Sequence, residues 1–570
     1  MNDPIIQFHH FSFQYHSQQK PTLHDIDLSV RKGEKLLICG PSGCGKSTLA
    51  HCINGLIPFS YKGESSGSLT IAGRESRELG IFEISRTVGT VLQDTDGQFV
   101  GLTVAEDIAF ALENDCVGEP ALHERVAKAA ALVGVEDHLH HAPGELSGGQ
   151  KQRVSLAGIL IDDVEVLLFD EPLANLDPAT GKQAIELIDE IQRETGAAVI
   201  IIEHRLEDVL HRHVDRVVLM NSGRILADTT PDELLCGSLL AENGIREPLY
   251  LAALRYAGVA VRPGMKPASI RTLQLEEEEK EKLRAWFRAA PERGPEKERR
   301  TLLEARGLRF AYPNGRQAIE DVSLSVEEGE LMAVVGTNGA GKSTFCKLLC
   351  GFETPQAGTI DFLGCDWASL SIKERADHVG YVMQNPNQMI SKVMIFDEVA
   401  LGLRTRGADE EEIRERVEKT LRICGLWPFR SWPVSALSFG QKKRVTIASI
   451  LVLEPEMIVL DEPTAGQDYR HYTEIMEFLL ELRRRGVTVA MITHDMHLML
   501  EYAERAVVFS DGRVIASESS AAVLTDPELV RRASLKETSL YDLALLCGIG
   551  DARAFAQRFI DYEREEVRGR

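Results

Sequence analysis

The chain has 570 residues, enough for several domains that each bury a core. Apolar residues make up 44% and charged residues 26%, as in a globular protein, and a net charge of −23 argues against bulk attraction to nucleic acid or anionic lipid. Ten cysteines without C-x-x-C pairing fit a reducing compartment, and no apolar run reaches the roughly 18 residues a membrane-crossing helix needs.

In chain order, the opening MNDPIIQFHHFSF shows no basic stretch before an apolar one, so no signal peptide is expected. EKLLICG (34–40) is a short apolar run that predicts a strand; GPSGCGKST (40–48) is a glycine-rich loop, and KSTLAHCINGL (46–56) predicts a helix. LSGGQKQR lies at 146–153. EVLLFDE (165–171) and AAVIIIE (197–203) read as strands buried on both faces, with the helical GKQAIELIDEIQRE (181–194) between them. Alternating strands and helices predict an α/β fold with a mainly parallel sheet.

The same motifs then recur in the same order roughly 290 residues later, which signals a duplicated domain rather than a short-period solenoid. GTNGAGKST stands at 336–344, LSFGQKKR at 437–444, MIVLDEP at 457–463, and His494 follows TVAMIT as His204 follows AAVIIIE. The expected division is 1–230 for the first domain, 231–300 for a charged linker, 301–525 for the second domain and 526–570 for a helical tail. The linker, ending LEEEEKEKLRAWFRAAPERGPEKERR, is nearly charge-balanced and reads as helical, then extended. The tail, with SLYDLALLCGIG and AFAQRFIDYERE, is amphipathic, either a cover for the second domain or a dimerising surface. Cys346 and Cys350, four apart in a predicted helix, read as small buried residues rather than metal ligands.

The two glycine loops fit G-x-x-x-x-G-K-[ST]. The glycines let the backbone curl with its N–H groups aimed at phosphate oxygens, and the following helix adds its positive end. The expected nucleotide contacts are Gly40, Pro41, Ser42, Gly43, Cys44, Gly45, Lys46, Ser47 and Thr48 in the first copy. In the second they are Gly336, Thr337, Asn338, Gly339, Ala340, Gly341, Lys342, Ser343 and Thr344. Lys46 and Lys342 would reach the β- and γ-phosphates, and Ser47 and Ser343 would ligate Mg²⁺. Asp170 and Asp461 end apolar strands, where a carboxylate can hold the same ion. Glu171 and Glu462 come next and suit a base for the attacking water. His204 and His494 end the following strands, and recurrence at one place in both copies favours a catalytic role over a structural one.

Phosphate loop, LSGGQ, strand ending in Asp-Glu and histidine, in this order, resemble the ABC ATPase family over about four fifths of the chain. The resemblance implies two P-loop ATPase domains in tandem, each a mainly parallel sheet core with a helical signature subdomain, binding ATP and Mg²⁺. Ser147, Gly148, Gly149 and Gln150, after Leu146, match the family's signature, as do Ser438, Phe439, Gly440 and Gln441 after Leu437. Gln93 and Gln384 match the glutamine that senses Mg²⁺ and meets the membrane partner. Tyr15 and Tyr312 resemble the aromatic residue that stacks on adenine. Ala174, Asn175, Leu176 and Asp177 match the D-loop; in the second copy, Ala465, Gly466, Gln467 and Asp468 place glutamine where leucine is usual. The family pairs its domains head to tail, which implies that the signature at 437–441 serves the site holding Glu171 and that at 146–150 the site holding Glu462. Phe439 replaces a glycine, and it is expected to point away from the phosphates or pack beside them.

The segments after the glutamines, QDTDGQFVGLTVAEDIAFALEN and QNPNQMISKVMIFDEVALGL, together with EHRLEDV (203–209), look like the ATPases of energy-coupling factor (ECF) transporters. The first departs from that pattern at Thr95, Asp96 and Gly97. The implied protein is the ATP-hydrolysing subunit of a prokaryotic importer for a vitamin, vitamin precursor or metal ion. It would sit at the cytoplasmic face of the membrane with a transmembrane coupling subunit and a membrane substrate-binding subunit, without binding nucleic acid or contacting the cargo. Gln98, Phe99, Val100, Gln388, Met389 and Ile390 are the candidates for the coupling groove, with internal packing as their other reading. The competing class is a tandem ABC ATPase acting on ribosomes, which the acidic chain and charge-balanced linker fit poorly.

Overall fold

The structure is a computed structural model that describes residues 4–92, 96–174, 176–291, 299–464, 467 and 469–567. The chain divides into two compact units, Met1–Ala285 and Trp286–Arg570.

In the first unit, a six-stranded sheet runs in the order Arg224–Thr229, Arg216–Asn221, Lys35–Cys39, Ala198–Ile202, Val166–Asp170, Val88–Val91. Only the pairing of Arg224–Thr229 with Arg216–Asn221 is antiparallel. The parallel strands are buried on both faces, which explains their unbroken apolar runs: every residue of Lys35–Cys39 and Ala198–Ile202 is buried. A second, antiparallel sheet joins Leu23–Arg31, Pro4–Tyr15, Gly63–Ile71 and Arg74–Glu75. Its strands alternate buried and exposed residues, as one face in water requires. Helices Val104–Asn114, Glu119–Val133 and Gly148–Leu160 pack together as a helical subdomain.

The second unit repeats this plan. Its large sheet runs Val379–Val382, Met457–Asp461, Thr488–Ile492, Leu331–Gly336, Arg505–Ser510, Arg513–Ser519, with one antiparallel pair at the edge. Helices Ile395–Arg406, Glu410–Ile423 and Phe439–Leu451 form its helical part. The α/β class and tandem arrangement are those predicted from the motifs.

Residues 231–285 lie in the first unit and carry short helices, among them Pro231–Leu234 and Leu249–Tyr256, whose Tyr250 is fully buried. In the second unit, helices Ser539–Leu546 and Ala552–Tyr562 bury Leu540, Leu543, Phe555 and Phe559, and Trp286 packs edge-on against Phe555.

Candidate functional site

In open parallel sheets, ligands bind at the carboxyl ends of the strands. In the first unit four neighbouring parallel strands end there on the glycine loop after Cys39, on Asp170 and Glu171, on Glu203 and His204, and on the segment after Val91.

Both loops take the curled path that glycine permits. Gly40, Gly43 and Gly45 have φ of 157, 74 and 108, and Gly336, Gly339 and Gly341 have 135, 79 and 99. At Gly336 a Cβ would stand 2.0 Å from the Phe509 carbonyl oxygen, and at Gly40 it would stand 2.2 Å from that of Met220, so no side chain fits. Lys46 and Lys342 are buried at the first helical turn. The Lys46 ammonium donates to the Gly40 and Pro41 carbonyls at 2.7 and 3.0 Å, and that of Lys342 donates to Gly336 and Thr337 at 2.8 Å each. Both ammonium groups thus lie across the mouths of their loops. Pro41, Ser42, Gly43 and Ser47 line the accessible side of the first loop, while Cys44, Gly45 and Thr48 are buried. The tyrosines join the same centres: Tyr15 Oη is 3.1 Å from Thr48 Oγ1, and Tyr312 Oη is 3.0 Å from Thr344 Oγ1.

Burial, and then repulsion from Glu171, raise the Asp170 carboxyl to about 6, with a Ser47 hydrogen bond acting against them. Burial also raises Glu171. Among the described residues, Asp170 Oδ1 is buried without a hydrogen-bond partner. An orphaned carboxylate oxygen beside a hydroxyl and a second acid is a donor set that a hard dication satisfies, so these residues fit Mg²⁺. In the second unit, Tyr381 donates to Asp461 Oδ2 at 2.7 Å; the first unit has Thr90 at this strand position, its hydroxyl buried and without a partner among the described residues.

Glu171 and Glu462 have φ of 50 and 43, left-handed values that are strained for a glutamate. Each N–H is fixed by the neighbouring strand, to the Ile202 carbonyl at 2.9 Å and the Ile492 carbonyl at 3.0 Å. The turn at the strand end aims each carboxylate at its histidine. His494 Nε2 is 3.3 Å from Glu462 Oε1, and His204 Nδ1 is 3.9 Å from Glu171 Oε1 and 3.2 Å from Glu203 Oε1. Glu203 is fully buried and accepts the His204 and Arg205 N–H groups at 2.9 and 3.1 Å, while Thr493 caps the matching turn by accepting from the Asp495 N–H at 3.0 Å. The Gln384 amide donates to Glu462 Oε2 at 3.4 Å. Gln93 lies outside the described residues, as do Asn175, Ala465, Gly466 and Asp468; Leu176 and Gln467 are both buried.

The signature segments start the helices Gly148–Leu160 and Phe439–Leu451, and their serine and glutamine form capping boxes. Ser147 N–H donates to Gln150 Oε1 at 2.9 Å, and Ser438 N–H to Gln441 Oε1 at 3.0 Å; the reciprocal bonds to the serine hydroxyls measure 3.4 and 3.3 Å. Gly148 and Phe439 occupy the first helical position, where the box does not use the side chain, and Phe439 is 43% exposed. The next residue differs: a Cβ on Gly149 would meet Thr180 Cγ2 at 2.5 Å, whereas one on Gly440 has its nearest neighbours at 3.8 Å.

Sequence reasoning missed Lys443, the other difference between the two octapeptides. Its side chain is buried, and Nζ donates to the Met383 and Gln384 carbonyls at 2.7 and 2.9 Å. Burial lowers this amine to about 8, against the pull of Asp461 and Glu462. Gln152 stands there in the first unit and donates to the Pro172 carbonyl at 2.8 Å. The lysine standing where the first copy has glutamine was the available signal.

Of the groove candidates, Gln98 is turned inward: its amide donates to the Thr90 carbonyl at 3.0 Å and accepts from Leu92 N–H at 3.3 Å. Met389 Sδ accepts from Met383 N–H at 3.1 Å, while Gln388 is exposed and Phe99 and Ile390 are half-buried. Val100 and the neighbouring Leu102 are 65% and 82% exposed.

The ABC transporter family matches residues 23–174 and 319–465, and the ATP-binding cassette cobalt transporter family matches residues 237–310. A relative from Clostridium perfringens, described as an ABC transporter ATP-binding protein, is 58% identical over 98% of both chains. One from Enterococcus faecalis with the same description is 56% identical over 99% of both. Among solved structures, CbiO1 of Clostridium perfringens, part of the ABC transporter complex CbiONQ, is 33% identical with a TM-score of 0.39, covering 41% of this chain and 94% of its own.

Proposed function

The chain belongs to the ABC transporter ATP-binding family, and on that premise we propose that it powers a membrane importer of the energy-coupling factor type. ATP binding and hydrolysis come with the family. One observation supports the importer reading: residues 237–310 match the ATP-binding cassette cobalt transporter family. The cargo would then be a metal ion, a vitamin or a vitamin precursor, held by a membrane substrate-binding subunit. A transmembrane coupling subunit would dock on this chain at the cytoplasmic face of the membrane. Apolar side chains exposed after the glutamine segments, Val100 and Leu102 in one unit and Val393 in the other, are the proposed seats for its helices.

In each centre, the loop N–H groups and Lys46 or Lys342 would hold the phosphates. Mg²⁺ held by Ser47 and Asp170, or by Ser343 and Asp461, together with Gln93 or Gln384, would offset charge on the β- and γ-phosphates. Glu171 and Glu462 would take the proton of the attacking water, with His204 and His494 orienting them.

Affinity capture of the intact chain from detergent-solubilised membranes of its own cell tests the proposal. A multi-span membrane protein recovered with a smaller membrane protein is the expected result. Recovery of ribosomal proteins alone, surviving physiological salt, overturns it.

Phe439→Gly is expected to leave the rate of phosphate release within about twofold of wild type. The capping box of Ser438 and Gln441 does not involve that side chain, and gain or loss of an exposed residue at a first helical turn has small effects. A large change would instead make Phe439 a determinant of turnover.

A further inference from the structure

The outer face of the antiparallel sheet in the first unit carries two adjacent histidines beside two aspartates. Consecutive residues of a regular strand point to opposite faces. The pairing of Pro4–Tyr15 with Leu23–Arg31 shifts register between Phe8 and Phe11, and His10 has a φ of 45. This bulge turns both His9 and His10 outward between the buried Phe8 and Phe11. His9 Nδ1 lies 3.2 Å from Asp27 Oδ1, and His10 Nδ1 lies 3.4 Å from Asp27 Oδ2 and 2.8 Å from Asp25 Oδ1. One ligand atom from each of His9, His10 and Asp27 falls within 4.8 Å of the others. Among the described residues, no other three histidine, cysteine or acidic side chains gather so closely.

The second unit serves as an internal control. It has the same bulge, with a register shift between Ala305 and Leu308 and φ of 58 at Gly307 and 56 at Asp321, against 45 at His10 and 52 at Asp25. In place of His9, His10 and Asp27 stand Arg306, Gly307 and Ser323. Glycine is what a left-handed position favours. Ser323 Oγ accepts the Gly307 N–H at 2.9 Å, the same service that Asp27 gives the His10 N–H at 3.0 Å. The bulge therefore needs neither histidine nor a second carboxylate oxygen. Asp25, matched by Asp321, belongs to the bulge itself.

We propose that His9, His10 and Asp27 form a binding site for a divalent transition-metal ion of the zinc, cobalt and nickel class. Two imidazoles with one carboxylate suit these borderline ions rather than Mg²⁺ or Ca²⁺, which prefer all-oxygen sites. Bonds of about 2.0–2.1 Å in a tetrahedral ion place its ligand atoms about 3.3–3.4 Å apart; His9 Nδ1 and His10 Nδ1 approach the two different oxygens of Asp27 at 3.2 and 3.4 Å, so the carboxylate stands between the two rings. The ion takes the place of the proton that His10 Nδ1 shares with Asp25, which leaves Asp25 to meet the ion or a water on it. The surface position keeps the fourth ligand place open to solvent.

The test is titration of the metal-stripped, untagged full chain with Co²⁺, followed by its visible ligand-field bands, with excess Mg²⁺ covering the oxygen-rich nucleotide centres. Saturation by one equivalent, displaced by Zn²⁺, is expected. The variant H9R/H10G/D27S, which installs the residues of the second unit, should bind that equivalent roughly tenfold or more weakly while keeping normal ATP turnover. The single variant H10G, which introduces the residue favoured by the backbone, should also weaken it. The proposal is overturned if wild type shows no cobalt band, or if both variants titrate as wild type does.

Discussion

Replacing both Glu171 and Glu462 by glutamine is expected to lower ATP hydrolysis by at least about 100-fold while leaving ATP binding intact. A positioned general base contributes roughly 10²–10⁴ in rate, and the amide cannot accept the proton. The substitution isolates this chemistry because it leaves the geometry alone. Glutamine has the shape of glutamate, so the left-handed backbone at φ of 50 and 43 stays as it was, held by the Ile202 and Ile492 carbonyls. Lys46 and Lys342 still span their loops, so nucleotide should be retained and accumulate uncleaved. Phosphate release, measured beside retention of labelled ATP on the protein, separates the two effects. The single variants should each fall in rate; if both match wild type, neither glutamate is the base. Removing a carboxylate from beside Asp170 also lowers the repulsion that helps raise that group to about 6. ATP binding in the double variant should therefore be no weaker at mildly acidic pH than in the wild type.

Residues whose chemistry forces a backbone shape were legible in the sequence. Gly40 and Gly336 could be placed because no other residue tolerates the approach of the Met220 and Phe509 carbonyls. The parallel strands could be placed because burial on both faces leaves no polar alternation. Contacts that depend on which side chain reaches which backbone atom were hidden. Gln98 was a groove candidate from its position, yet its amide closes on Thr90 and Leu92 of its own strand end. The capping boxes of Ser147 with Gln150, and of Ser438 with Gln441, follow the S-x-x-Q rule and could have been predicted beside the phosphate role. The left-handed backbone at Glu171 and Glu462 had no such signal, because glutamate is not a residue that marks a positive φ. Tyr381 and Thr90 differ at one strand position, and only the fold shows that this position faces the strand ending in Asp461 or Asp170.

Lys443→Met is expected to destabilise the second unit and loosen the segment that carries Gln384. The lysine gives two hydrogen bonds to the Met383 and Gln384 carbonyls from a site with 1% exposure. Methionine fills the volume but donates nothing, and each part-buried hydrogen bond lost from a charged donor costs about 1.5–3 kcal/mol. Part of that loss is offset because a charge no longer has to be buried. A net loss of about 2 kcal/mol is the expected balance near neutral pH. The pH dependence gives an independent check. The amine is lowered to about 8 in the fold, against about 10.4 in an unfolded chain. Below pH 8 both states carry the proton, and the cost of burying it is fully present. Between 8 and 10.4 the unfolded chain holds more protons than the folded one, so stability rises with pH by up to about 1.4 kcal/mol per unit. The neutral amine keeps two N–H donors for the two carbonyls. The gap in melting temperature between wild type and K443M should therefore widen from pH 7.5 to 9.5; a constant gap would mean that the buried amine does not titrate in this range. K443Q separates the donor from its reach. The glutamine of the first unit bonds the Pro172 carbonyl instead, so K443Q should melt between wild type and K443M while exchanging the amides of 383–390 as fast as K443M. Exchange as slow as in wild type would show that the long ammonium arm is not what holds that segment to the signature helix.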